Sequence, residues 1–67
     1  MRIEEFIRAR LDEDKAIAKA AAALRAALEH VERMVSPSQQ IEAEVDVLYP
    51  IAAIWSDHPD YQPEWAV

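Results

Sequence analysis

The sequence predicts an all-α protein in which a long helix and a shorter, kinked helix form a helical hairpin, followed by a turn-rich tail. Three observations predict this class. Glycine is absent from all 67 residues, which disfavours tight turns that need a positive φ angle. Apolar residues recur at spacings of three and four over two long stretches. Ser36 and Pro37 stand between these stretches as a helix-start signal.

The first helix is predicted over residues 3–35. Its interior is alanine-rich and made of strong helix formers, and it would span about 50 Å at the helical rise per residue. The same register places Arg10 and Asp14 on the apolar face. These two charges predict either a solvated edge of the helix or an ion pair between chains that sets their register. The apolar stripe consists of Ile3, Ile7, Ile17, Ala21, Leu24, Leu28, Val31 and Val35.

The second helix is predicted over residues 37–56. Serine at the N-cap, Pro37 at the first helical position and Gln39 three residues after the cap form a capping-box pattern. Pro50 lacks the amide hydrogen for a bond to Asp46 and disfavours a helical Tyr49, so we expect a kink, or a helix that ends and restarts. The apolar stripe of this helix is Ile41, Val45, Leu48, Ala52 and Trp55.

The tail, residues 57–67, contains Pro59 and Pro63, which allow only single helical turns. Four of the five aromatic residues follow residue 48. We expect them to fold over the helical pair as a hydrophobic clasp, and a groove for a partner peptide is the alternative. The structural residues predicted for this part of the chain are Trp55, Asp57, His58, Pro59, Tyr61 and Trp65.

The chain, residues 1–67, is predicted to be one small domain that associates with a second chain. A domain of this size has a small core, and without cysteine it has no disulfide to reinforce it. The second helix covers just over half of the first, which leaves the N-terminal turns uncovered. We therefore expect a homo-oligomer, most simply a dimer forming a four-helix bundle. The predicted interface consists of Ile3, Phe6, Ile7, Leu11, Ile17 and Leu24.

The net charge of −6 lies entirely in the second half, because residues 34–67 hold six acidic and no basic side chains. This disfavours direct binding to nucleic acid, which needs lysine and arginine against phosphates. Glu42, Glu44 and Asp46 form an acidic surface that is either simply solvated or attracts a basic partner. No apolar run approaches the ~20 residues of a membrane span, and acids near Met1 argue against a signal peptide. We expect a cytoplasmic protein.

No residue pattern predicts catalysis, a metal or a cofactor. Asp57 and Asp60 flank His58, but no second histidine lies nearby, so local hydrogen bonding in a turn is favoured over a metal site. The serines occupy capping or turn positions without an activating base. Asp12, Glu13 and Asp14 point in different directions on a helix. The expected protein is not an enzyme.

Two segments resemble a known family. Residues 6–14 read Phe-Ile-Arg-Ala-Arg-Leu-Asp-Glu-Asp, and residues 56–61 read Ser-Asp-His-Pro-Asp-Tyr, with Glu64 and Trp65 following. Both segments, in this order, are similar to the two ends of a family of short uncharacterised proteins from actinobacteria and their phages. Those relatives carry a stretch with proline, glycine and tryptophan where this chain continues with alanine. The resemblance implies an actinobacterial or phage origin and a structural tail, and it implies no catalytic residue.

Taken together, the sequence predicts a non-enzymatic helical protein that acts through protein–protein interaction or oligomerisation. The alternative is an acidic inhibitor or regulator that mimics a charged ligand against the basic surface of a host protein.

Overall fold

The computed structural model describes residues 2–66, and all of their regular elements are helical, which confirms the all-α class. Met1 and Val67, the ends of the predicted domain, lie outside the described residues. The first half contains α1 (Ile3–Glu13), a 3-10 turn (Lys15–Ile17) and α2 (Ala18–Glu32). The second helical segment consists of α3 (Pro37–Ala43), a π-helical turn (Glu44–Leu48), α4 (Tyr49–Ala52) and a 3-10 turn (Ala53–Trp55). One further 3-10 turn, Pro63–Trp65, lies in the tail.

The expectation of one continuous helix over residues 3–35 is wrong, because the chain breaks at Asp14. This residue has an extended backbone with φ −86° and ψ 97°, while its amide still donates to the carbonyl of Arg10 at 2.9 Å. One Asp14 carboxylate oxygen accepts the backbone N–H of Ala16 at 3.0 Å and so caps the following 3-10 turn. α1 therefore folds back along α2 instead of extending from it.

The antiparallel pairing of α1 and α2 is framed by two ion pairs. Arg8 and Glu32 meet at 2.5 Å at one end, and Arg25 contacts Asp12 near the bend. Both pairs are substantially exposed and contribute little stability by themselves. Because they join opposite ends of the two helices, they define how α1 is aligned on α2.

The second helical segment begins where the sequence predicts, with Ser36 at the N-cap and Pro37 at the first helical position. The capping box itself is wrong, because no side-chain hydrogen bond caps this helix. The first helical bond runs instead between backbone groups, from Gln40 N–H to Ser36 C=O at 2.9 Å. Proline at the first helical position removes one of the four free amide hydrogens at the helix start, so fewer of them need a partner.

Pro50 is accommodated by the π-helical turn that precedes it. Tyr49 donates its amide to the carbonyl of Glu44, five residues earlier, and has helical angles of φ −61° and ψ −46°. The prediction that Pro50 would displace Tyr49 from the helical region is wrong. A wide turn relieves the contact between a proline ring and the carbonyl four residues before it. The backbone consequently stays helical through Pro50.

The extra residue in the wide turn also changes which side chains face the core. The buried residues Ala43, Leu48 and Ala52 are spaced by five and then four. Leu48 and Ala52 were predicted on the apolar stripe, but Ile41 and Val45 were too, and both are exposed. A uniform helical period cannot predict this, because the π-helical turn rotates the upstream residues relative to the downstream ones.

The core lies between α1, the C-terminal half of α2, the second helical segment and the end of the tail. The described chain measures 33 × 26 × 17 Å. None of its helices within residues 2–66 is long and apolar enough to cross a membrane. Val35, predicted on the stripe of the first helix, is 96% exposed in the connection after α2. The buried apolar residues are Ile3, Phe6, Ile7, Leu11, Leu28, Val31, Ala43, Leu48, Ala52 and Trp65.

Candidate interaction surfaces

The tail packs on the fully buried ring of Phe6, which confirms the predicted hydrophobic clasp. Tyr61 and Trp65 lie 6.1 and 5.0 Å from Phe6 between ring centroids, and they contact each other edge to face at 5.5 Å. Trp55 and His58 also contact the Phe6 ring edge to face. Asp57 and Pro59, also predicted as structural, are exposed. The aromatic residues of the C-terminal part are therefore occupied by the chain's own core.

Arg10 is the charged residue at the centre of this clasp. It is only 8% exposed, and its guanidinium carbon lies 5.3 Å from the centroid of the Phe6 ring. One terminal nitrogen lies 3.2 Å from Glu13, and the other lies 3.0 Å from His58 Nδ1 and 4.0 Å from Asp60. Arg10 is thus paired within its own chain and does not lie at a solvated edge.

His58 is held between the turn after Trp55 and the side chains of α1. The backbone N–H of Asp60 donates to Nδ1 at 3.0 Å. Arg10 lies within hydrogen-bond distance of both ring nitrogens, and a carboxylate oxygen of Glu13 lies 3.9 Å from Nε2. The turn after Trp55 is built on local hydrogen bonds, as the sequence suggested, and its histidine also reaches α1.

Asp14 joins the bend between α1 and α2 to the C-terminal part of the chain. Its second carboxylate oxygen accepts the indole N–H of Trp55 at 2.8 Å. The same side chain that caps the 3-10 turn at Ala16 is thereby held by a residue 41 positions later. The break in the first helix depends on a long-range contact that local propensity cannot predict.

Glu4 and Glu44 form a carboxyl pair between α1 and the π-helical turn. Glu4 is 4% exposed, and Arg2 lies 3.5 Å from one of its oxygens. The hydrogen bond to Glu4, together with partial burial and the charge of Glu4, raises the pKa of Glu44 to about 7. Burial acts to raise the pKa of Glu4, but the hydrogen bond from Glu44 and the proximity of Arg2 hold it below its usual value. Glu44 therefore faces inward, and only Glu42 and Asp46 of the predicted acidic surface are fully solvent-facing.

The second helical segment presents an apolar line to solvent, which we call the outer face: Ile41, Val45, Pro50 and Ile54. Ile41 is 62% exposed, Val45 39% and Ile54 52%. The four residues are spaced by four, five and four, and the interval of five spans the π-helical turn. The same turn that changes which residues face the core therefore also brings these four into line. The line extends about 20 Å along the segment. Glu42 and Asp46 are exposed beside it.

The predicted oligomer interface is largely internal. Ile3, Phe6, Ile7 and Leu11 are at most 5% exposed within the single chain. The premise that they are left uncovered is wrong, because the fold-back of α1 and the return of the tail cover them. Ile17 and Leu24 are only partly buried. These two residues are the members of the predicted interface that retain solvent contact.

Sequence reasoning missed the outer face and the role of Arg10. Arg10 carried a signal, since it stood on an apolar stripe, but two of its partners, His58 and Asp60, lie about fifty residues away in the tail. The outer face carried only an indirect signal in Pro50. Its apolar side chains were assigned to the core because a uniform period places Ile41 and Val45 in line with Leu48.

Residues 2–66 enclose no cavity of ligand size, and no three or more of their histidine and acidic side chains converge as a metal site would require. Comparison of the chain with protein-family models, with curated proteins and with solved structures gives no match.

Proposed function

We propose that this chain is a non-enzymatic protein–protein interaction module whose contact surface is the outer face. The observation that carries the proposal is the exposure of Ile41, Val45 and Ile54 in one line on one helical segment. Single exposed apolar residues are ordinary on protein surfaces, but an aligned set suits helix-against-groove recognition. About half of each side chain is still exposed, so covering it by a partner would contribute roughly 1 kcal/mol per residue.

The charges beside the outer face indicate the kind of partner. Glu42 and Asp46 are exposed on the same segment, and residues 34–67 contain no lysine or arginine. Two copies that met through their outer faces would bring these carboxylates together, and like charges at an interface oppose binding. An apolar surface rimmed by lysine or arginine is complementary. This supports the regulator alternative, in which the protein binds a basic surface of a host protein.

The experiment is affinity capture of the tagged protein from an actinobacterial lysate, the source that the family resemblance implies, at low and moderate salt. Mass spectrometry identifies what is retained. We expect a retained protein that is lost with an Ile41→Ser/Val45→Ser variant and weakens with salt and with Glu42→Gln/Asp46→Asn.

The controls introduce serine, or neutralise two acidic residues, at exposed positions away from the outer face. They are Ala22→Ser/Ala26→Ser on α2, and Glu5→Gln/Asp57→Asn for the charge change. Both controls should retain the partner. Equal retention by the Ile41→Ser/Val45→Ser variant would rule out the outer face, and binding indifferent to salt would rule out a basic partner.

A further inference from the structure

The bend between α1 and α2 contains two departures from helical backbone, a large one at Asp14 and a smaller one at Ile17, which has φ −105° and ψ 18°. Asp14 has φ −86°, close to helical, but ψ 97° where a helix needs about −40°. Residues 15–17 are already in a 3-10 turn, and Ala18 has helical angles of −52° and −37°. Neither glycine nor proline occurs before Pro37, and Lys15 and Ala16 are good helix formers. The local sequence therefore favours a straight helix, and the bend exists against that preference.

Two contacts of one side chain hold the bend. Asp14 accepts the amide of Ala16 at 3.0 Å and the indole N–H of Trp55 at 2.8 Å. When the bend opens, both bonds break, while the backbone between α1 and α2 gains the helical bonds that the bend excludes. The difference in free energy between the bent and the straight form is consequently small at Asp14 itself.

Opening also removes α1 from its place on the core, which exposes Ile3, Phe6, Ile7 and Leu11. A single chain cannot tolerate this loss, because these residues form much of its core. A second opened copy offers the same vacant place, with the same ion-pair positions at Glu32 and Arg25. Exchange of α1 between two copies restores the contacts of α1 with the core and with α2 that opening removes, as in domain swapping.

From these observations we propose that the chain forms a dimer by exchanging α1, with a straight helix running through the bend in each copy. Because α1 is antiparallel to α2 in the closed chain, the two straight helices of the dimer run antiparallel along each other. In the dimer, the ion pairs of Arg8 with Glu32 and of Asp12 with Arg25 form between the two copies and align the two straight helices.

The surface around the bend suits this pairing. Residues 15–23 are the least covered part of the first half, since only Ile17 and Ala21 among them are partly buried. In the exchanged dimer, Ile17 and Ala21 of one copy lie beside Ala21 and Ile17 of the other. Alanine at positions 20–23 lets the two helices approach closely there. The outer face takes no part, so the exchange is independent of the proposed function.

Two substitutions shift the equilibrium between the bent monomer and the exchanged dimer in opposite directions. Asp14→Ala removes both contacts that hold the bend and favours the straight helix. Lys15→Pro blocks the straight helix, because a proline there would meet the carbonyl of Leu11. In the bend, position 15 begins the 3-10 turn, where proline is tolerated, and Asp14 already has the extended backbone that precedes proline.

The test refolds each variant over a range of concentrations and measures mass by light scattering and length by small-angle X-ray scattering. We expect dimerisation of Asp14→Ala to tighten by roughly tenfold or more, since each copy loses a cap used only in the bent form. The double variant Asp14→Ala/Lys15→Pro should return to the 7.6 kDa monomer. The dimer should contain a helix of about 45 Å, longer than the 33 Å closed chain.

Glu5→Ala is the control, because it removes an exposed acidic side chain of α1 and leaves the bend and both ion pairs intact. If Asp14→Ala loses its helical circular dichroism, Trp55→Phe removes one of the same two bonds while keeping an aromatic ring. Since the chain has no cysteine, mixing Arg8→Cys with Glu32→Cys reports exchange through a cross-link between copies. The proposal is overturned if wild type, Asp14→Ala and Trp55→Phe all remain monomers at every concentration. It is also overturned if a dimer forms that Lys15→Pro does not disrupt, or one in which no cross-link between copies appears.

Discussion

At the residue scale, the structure is decided by polar side chains that enter the core and find partners there. Arg10 is nearly buried but is surrounded by Glu13, His58 and Asp60, so its charge is compensated. Its Nε hydrogen has no hydrogen-bond partner among residues 2–66 and faces the aromatic clasp. A buried charge is tolerated only with such pairing.

The Glu4–Glu44 pair differs, because two ionised carboxylates share no hydrogen. The hydrogen bond to Glu4, partial burial and the charge of Glu4 together raise the pKa of Glu44 to about 7 in the folded chain from an ordinary 4.5. The folded state thus binds more protons than the unfolded state between these two values. By linkage, stability increases as pH falls from about 7 towards 4.5. The lowered pKa of Glu4 acts in the opposite sense below its ordinary value, so acid destabilises there.

The residue-scale prediction concerns Glu44→Gln. Glutamine keeps a hydrogen-bond donor towards Glu4 and removes the titrating group, so we expect higher stability than wild type at pH 8 and a flatter dependence between pH 5 and pH 8. The measurement is the free energy of unfolding in urea at several pH values, followed by tryptophan fluorescence. Glu42→Gln, at the exposed neighbouring acid, is the control and should keep the wild-type slope. The same slope in Glu44→Gln would contradict the assignment.

At the element scale, the π-helical turn is a one-residue insertion with two effects. It accommodates Pro50 without breaking the helix, and it determines which of the preceding residues face the core. Ala43 rather than Ile41 or Val45 faces the core as a result. If the same residues formed a regular α-helix with no deletion, Ile41 and Val45 would rotate towards the core and the outer face would be lost.

The element-scale prediction is a deletion. Removing Asp46 together with Pro50→Ala should yield an ordinary helix in which Ala43, Leu48 and Ala52 still face the core, now at even spacings of four. We expect the helical circular dichroism and the cooperative urea transition to survive. The control removes His30 from α2, which brings the buried Leu28 and Val31 to opposite faces and should abolish the transition. Equal damage from both deletions would show that the wide turn is not an insertion.

At the scale of the whole molecule, the tail closes the core over α1. Trp65, near the C-terminal end, is 5% exposed and lies 5.0 Å from Phe6, near the N-terminal end. A domain of this size has a total stability of only roughly 3–10 kcal/mol. A contact that joins the two ends of so short a chain therefore accounts for a large share of its stability.

The whole-molecule prediction is that Trp65→Ala removes most of the stability. Truncating a buried tryptophan costs about 3–5 kcal/mol, which approaches the whole margin of such a domain. Urea unfolding followed by far-ultraviolet circular dichroism, with the fluorescence of Trp55 as a second probe, measures the loss. Glu64→Ala, at the exposed adjacent position, should change stability by less than about 0.5 kcal/mol. A mild effect of Trp65→Ala would show that the tail is not part of the cooperative unit.

The sequence by itself determined the helical class and the start of the second helical segment at Pro37. These follow from local physics: the absence of glycine, the helical spacing of apolar residues, and proline at a helix start. Only the tertiary structure decided the bend at Asp14, the pairing of Arg10 and the outward turn of Ile41 and Val45. Each of these depends on a distant partner or on a shift in hydrogen bonding, such as Trp55 for Asp14 and the π-helical turn before Pro50. Local periodicity does not register such contacts, because it describes one helix at a time and they arise between helices.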